Sequence, residues 1–166
     1  NKLQENFTQI TLVTDRHEYY EDLQVKIVSD LLTGRRKNPL RGIHAGLISS
    51  TLSYQFVIAC DMPFLNIGLI QYMERLAPDY DIVVPRVGDY YQPLFAFYSK
   101  SCLSYIEELL ADQDAKIIDF YKRLNTRYVD LAEITQFDSE QVSFVNINTL
   151  EDYEQAKIKL ANYYKN

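Results

Sequence analysis

The sequence predicts an α/β domain of three layers, with a mostly parallel sheet between two sets of helices. Three observations carry that prediction. Strand-like and helix-like segments alternate nearly throughout the 166 residues. Phe56 to Cys60 is a continuous apolar run, too short for a helix and β-branched and aromatic enough for a strand buried on both faces. That run stops on Asp61, with Pro63 two positions later, so an acidic side chain stands at a strand's carboxyl end, where ligands bind in open α/β sheets.

The elements follow in order. Asn1 to Phe7 reads as the tail of a helix, Ile10 to Thr14 as a strand, and Val25 to Ser29 as a second strand ending at Asp30. Leu31 to Asn38 is a loop holding Gly34, Arg35, Arg36 and Lys37, and Ile43 to Ser50 is a short helix after Gly42. The Phe56 strand comes next. Asn66 caps a helix to Leu76, with Leu69, Ile70, Met73 and Leu76 on one side. Ile82 to Pro85 is a strand, Gly88-Asp89 a turn, and Leu94 to Tyr98 a further strand. Ser101 caps a helix to Ala111, and Lys116 to Leu124 forms another with Ile117, Phe120, Tyr121 and Leu124 as its apolar stripe. Tyr128 to Leu131 and Val142 to Val145 read as short strands, and Thr149 caps a terminal helix from Glu151 to Tyr163. A doubly wound fold begins with a strand that enters a phosphate-binding loop. That first strand–loop–helix is not found in this chain, and the expectation is a single domain over residues 1–166 that lacks its first βα unit.

Composition narrows the function classes. A formal charge of −6 argues against wholesale nucleic-acid binding, which needs a basic face. It leaves room for a nucleotide, because a divalent cation bridges carboxylates and phosphates. No apolar stretch is long enough to span a bilayer, and no signal peptide is visible at the polar start. Two cysteines, Cys60 and Cys102, make no disulfide framework, which points to a reducing cytoplasm. Cys60 reads as a small core hydrophobe.

Pro63 biases Met62 toward an extended conformation, so the chain leaves the strand without turning at once into a helix. The Asp61 carboxylate is offered to the crevice, either as a ligand for Mg²⁺ or as a loop carboxylate binding backbone N–H groups. Arg35, Arg36 and Lys37 form a basic run that either steers a phosphate-rich substrate or is simply solvated. His17 and His44 show no metal-ligand spacing. No Ser–His–Asp pattern or nucleophile elbow is present, so no covalent intermediate is expected.

Three segments carry a family resemblance: Asp30 followed by Pro39-Leu40-Arg41-Gly42-Ile43; Cys60-Asp61-Met62-Pro63-Phe64; and Phe144-Val145-Asn146-Ile147-Asn148-Thr149-Leu150-Glu151-Asp152. In this order and spacing, with Val84-Pro85 and Gln92-Pro93-Leu94, they resemble the molybdenum cofactor guanylyltransferase family from about Ile10 to the terminal helix. The resemblance implies a Rossmann-like nucleotidyltransferase fold and a Mg²⁺-dependent reaction. A terminal phosphate of molybdenum–molybdopterin attacks the α-phosphorus of GTP, pyrophosphate leaves, and a guanine dinucleotide form of the cofactor results. Molybdoenzymes and other cofactor-biosynthesis proteins are the implied partners.

By the same resemblance Asp61 is the metal ligand and catalytic carboxylate, and Asp30, Asp61, Pro39 and Gly42 form the nucleotide site. Asn146 and Asn148 face the cofactor substrate. Each has a plainer reading as well: Asp30 as a strand-end turn residue, and the two asparagines as braces for the turn into the last helix. Pro39 to Gly42 would open a helix whose N–H groups and dipole favour anions, with Gly42 permitting close backbone approach. The family's Gly-rich loop, with its arginine and following lysine, is not found here, so half of the site is expected upstream of residue 1. Two alternatives stay open on the sequence: a related nucleotidyltransferase with another base or acceptor, and a non-catalytic cofactor-binding module.

Overall fold

Alternation along each strand decides which layer a side chain serves. In β3 (Tyr54–Ile58), β4 (Ile82–Val87) and β6 (Phe95–Ser99), one set of residues faces α2 (Pro39–Ser49), α4 (Cys102–Ala111) and α5 (Ile117–Arg123). That cluster joins Ile82, Val84, Ala96 and Tyr98 to Leu40, Ile43, Leu47, Ile106 and Phe120. The intervening residues Val83, Phe95 and Phe97 join Leu69, Ile70 and Met73 of α3 (Ile67–Leu76) and Ile134 of α6 (Leu131–Ile134). Each fully buried side chain of this size contributes about 1.5–3 kcal/mol. The computed structural model describes residues 2–30, 38–111 and 117–163. The basic run Arg35 to Lys37 lies outside the described residues.

Helices on both faces bear out the α/β class, but the sheet is mixed where a mostly parallel one was expected. β4 and β7 (Thr126–Val129) pair in parallel, as do β1 (Thr11–Val13) and β2 (Lys26–Val28) in a separate two-stranded sheet. β6 lies antiparallel between β3 and β4. The reason is connection length. From β4 the chain turns at Gly88, whose φ of +60 suits glycine, and adds the two-residue β5 (Tyr90–Tyr91) before β6. A parallel crossover needs a dozen or more residues.

β3 is half-buried at all five positions instead of fully buried. Its one hydrogen-bonded neighbour among the described strands is β6, so part of its surface stays open. Cys60 lies past its end and is exposed, not a core residue. The start of the chain is helical as expected: α1 (Lys2–Asn6) precedes Phe7, whose ring stacks 6.0 Å from that of Phe56 on β3. α2 begins at Pro39, four residues before the expected start, because Asn38 caps it by accepting the Leu40 N–H at 3.0 Å and proline suits the first helical position. Gly46 brings α2 close to β3. A Cβ there would meet the Gln55 side chain at 3.3 Å.

Two expected strands differ. β7 ends at Val129 because Asp130 opens α6 with a reciprocal capping box to Glu133. Val142–Phe144 is a 3₁₀ turn. The buried Asp138 carboxylate accepts the N–H groups of Val142 at 3.0 Å and Ser143 at 2.9 Å, which removes the donors a ladder would use. The terminal helix α7 (Leu150–Tyr163) is capped by Thr149 as expected, its Oγ1 accepting the Asp152 N–H at 3.1 Å. Ser101 precedes α4, but its hydroxyl is turned to the Asp81 carboxylate.

Candidate active site

Asp61 sits three residues past the end of β3. The chain bends there, with the Met62 N–H donating to the Ala59 carbonyl at 3.2 Å. Pro63 keeps the segment from winding into a helix at once. Met62 then anchors in the α3-side core and Phe64 in a third cluster with Val142 and Ala156. α3 opens only at Ile67, with Asn66 as its cap accepting the Leu69 N–H at 2.9 Å. Asn66 also donates to the Phe137 carbonyl at 2.6 Å. The exit from β3 is therefore held at three successive points, and Asp61 is set by its neighbours.

Its own carboxylate is held differently. Asp61 Oδ1 is buried and accepts no hydrogen bond from any described residue. A buried oxygen left this way costs about 1–3 kcal/mol and demands a cause. The adjacent Cys60 thiol is pushed above its ordinary range by partial desolvation and by the Asp61 carboxylate. It stays protonated at neutral pH and supplies no thiolate nucleophile at the strand end.

Two further segments meet the chain at residues 59–61. The Ile147 N–H donates to the Asp61 carbonyl at 2.8 Å, and the Ile147 side chain packs on the Phe64 cluster. Asn146 and Asn148, on either side of it, are exposed. They lie on an irregular segment instead of a strand end, and the strand end becomes their neighbour through that one backbone bond. The Asn148 and Thr149 N–H groups donate to the Asp152 carboxylate at 3.1 and 2.9 Å. Those bonds, with the Thr149 hydroxyl first among them, hold Asp152 below the ordinary carboxyl range. The second segment is the corner Gln92-Pro93-Leu94. Its Leu94 carbonyl accepts the Ala59 N–H at 3.0 Å, and its Gln92 N–H donates to the Pro85 carbonyl at 3.0 Å.

Asp30, Pro39 and Gly42 form a second group. Asp30 is half-buried two residues past β2. Pro39 is the first residue of α2, and Gly42 lies in its first turn, where an added Cβ would meet nothing within 4 Å. Of the two histidines, His17 bonds Ser29 at 2.9 Å, and buried His44 bonds Glu107 of α4 at 3.0 Å. Sequence reasoning missed the hydroxyl pair Tyr98–Tyr121 that backs the 92–94 corner. Periodicity marks both as core residues but carries no sign of a polar partner 23 residues away.

A buried carboxylate oxygen without a donor among the described residues, at a strand's carboxyl end and on a residue whose backbone is bonded to the 146–148 segment, fits the ligand crevice of an α/β nucleotide-binding protein. Residues 1–127 match the MobA-like NTP transferase domain, and the chain belongs to that family. It is 38% identical over 160 residues to a protein of Pelotomaculum thermopropionicum named "Probable molybdenum cofactor guanylyltransferase", covering 96% of this chain and 77% of that one. It is 34% identical over 151 residues to the molybdenum cofactor guanylyltransferase of Syntrophotalea carbinolica, covering 90% and 71%. Among solved structures it resembles molybdopterin-guanine dinucleotide biosynthesis protein A of Archaeoglobus fulgidus, with a TM-score of 0.79, 27% identity, and 97% and 84% of the two chains covered. The 4-diphosphocytidyl-2C-methyl-D-erythritolsynthase of Anaerococcus prevotii shares the fold at a TM-score of 0.66, with 15% identity and 96% and 84% covered.

Proposed function

We propose that this protein transfers GMP from GTP to the molybdenum–molybdopterin cofactor and releases pyrophosphate. The observation that carries the reading is Asp61. Its Oδ1 is buried without a hydrogen-bond donor, while its backbone carbonyl is tied to the segment bearing Asn146 and Asn148 at 2.8 Å. Relatives 34% and 38% identical carry the name molybdenum cofactor guanylyltransferase, the second as probable, which supports the reading.

The donor set at Asp61 fits a hard cation. An ionised carboxylate offers only acceptors. Asp61 would hold such a cation by its carboxylate, and Mg²⁺ in phosphate-transfer sites takes one or two carboxylates with phosphate and water oxygens. The chemistry that Mg²⁺ would supply there is neutralisation of charge on the reacting phosphates.

The chain's own residues do the positioning. Asp61 supplies the carboxylate, on a backbone held by the bonds at Ala59 and Ile147 so that little reorganisation is needed. Asn146 and Asn148 present amides that pair with phosphate oxygens or pterin edges of the acceptor, which brings acceptor and α-phosphorus to the same strand end. Asp30, and the first turn of α2 with Pro39 and Gly42, serve the nucleotide, where the positive end of the helix dipole favours phosphate. The cofactor's terminal phosphate oxygen forms the new bond to the α-phosphorus, and the bond to the pyrophosphate oxygen breaks.

Pyrophosphate release measured with molybdenum–molybdopterin and GTP, CTP or ATP in turn tests the proposal. Release with GTP well above the other two is expected. Release with CTP alone overturns the guanylyl assignment, and cofactor binding without release from any nucleotide overturns catalysis in favour of a binding module.

A further inference from the structure

The mechanism above leaves unused two hydroxyls buried in the middle of the α2-side core. Tyr98 of β6 is 0% exposed and Tyr121 of α5 is 1% exposed. The Tyr98 hydroxyl donates to the Pro93 carbonyl at 2.8 Å, and the two hydroxyl oxygens are 3.2 Å apart. A tyrosine hydroxyl has one proton to give. Tyr98 gives its proton to Pro93, so Tyr121 must be the donor to Tyr98. The result is a directed chain from α5 through β6 to the Gln92-Pro93-Leu94 corner. Burial, with each hydroxyl beside the other, raises Tyr98 well above the ordinary phenol range. Burial likewise raises Tyr121. Both therefore stay protonated across all working pH values, and the chain of donors does not reverse.

The corner held by this chain is the one that meets the Asp61 strand end. Pro93 is flanked by Gln92, whose N–H bonds the Pro85 carbonyl of β4, and by Leu94, whose carbonyl takes the Ala59 N–H, each at 3.0 Å. Ala59 in turn accepts the Met62 N–H at 3.2 Å across the bend that carries Asp61. A proline cannot donate to a ladder, so the corner has no strand bonding of its own at position 93. The tyrosine pair supplies the missing tether from inside the core.

We infer that Tyr98, backed by Tyr121, is a positioning residue that fixes the Gln92–Leu94 corner and through Ala59 sets the Asp61 carboxylate. The kinetic part of this inference rests on the guanylyl-transfer reading. The structural part does not. The tether acts on a group needed in the transition state and touches no substrate, so its loss lowers kcat and leaves KM for GTP in place.

The test compares the intact protein with its Tyr98→Phe and Tyr121→Phe variants, which keep the ring volume. Amide hydrogen exchange at Ala59 is read against amides of the β4–β7 ladder, and kcat and KM are read with GTP. Tyr98→Phe is expected to speed Ala59 exchange at least ~10-fold while the β4–β7 amides keep their rates. It is also expected to lower kcat roughly 10-fold at unchanged KM. Tyr121→Phe leaves the bond to Pro93 and falls between wild type and Tyr98→Phe, so it answers the question even if Tyr98→Phe folds poorly. Unchanged Ala59 exchange in both variants, or exchange that rises equally in the β4–β7 ladder, overturns the inference. If the wild-type protein releases no pyrophosphate from GTP, the function falls and the exchange comparison alone decides the positioning role.

Discussion

At the scale of single residues, charge is handled in two opposite ways. Asp61 keeps one oxygen without a donor, whereas Glu133 is surrounded by them. Glu133 accepts from Tyr72, from Arg127 at 2.5 Å and from the Asp130 N–H at 3.0 Å. Burial pushes the Glu133 carboxyl up, but the bonds from Tyr72, Asp130 and Arg127 outweigh it and hold the group below its ordinary 4.5. A carboxyl depressed on folding contributes stability that is fully present above the unfolded value and is lost as pH falls through the folded value. The loss therefore falls below about pH 4.5. Glu133→Gln should cost about 1 kcal/mol at neutral pH and flatten the acid limb, as read from urea midpoints taken across that window. Asp61 was legible in the sequence because an apolar run ends on it. Glu133 was not, since its side-chain partners Arg127 and Tyr72 lie 6 and 61 residues away.

At the scale of elements, local signals were read correctly where the satisfying group lies within the same turn. Asn66 and Thr149 cap the helices they were expected to cap. The signals failed where a neighbouring side chain competes for the backbone. Asp138 takes the N–H groups of Val142 and Ser143 and turns an apparent strand into a 3₁₀ turn. Asp130 starts a helix where a strand was expected to continue. Asn66 does double duty, capping α3 and holding Phe137. Asn66→Ala should lower stability by about 1–2 kcal/mol without changing the denaturant slope, which chemical denaturation would show. A larger fall with a changed slope would mean that the 137–147 segment had come away with it.

At the scale of the whole molecule, a net charge of −6 argues against a wholesale basic face, and the proposed function would meet phosphate-rich ligands through a cation bridging carboxylate and phosphate. Alternating elements made the α/β class legible. They did not reveal that β6 would run antiparallel, a consequence of the short turn at Gly88. The meeting of residues 59–61, 92–94 and 146–148 was visible only as a family pattern, because nothing local in sequence joins segments so far apart. Backbone bonds from Ile147 to Asp61 and from Ala59 to Leu94 join them. At this junction the reading is most exposed to test. The direct measurement is GTP-dependent pyrophosphate release by the Asp61→Asn variant across a Mg²⁺ titration, beside its unfolding curve. The expected result is a loss of at least about 100-fold in kcat with cooperative unfolding retained. Wild-type rates at saturating Mg²⁺ would contradict the role assigned to Asp61.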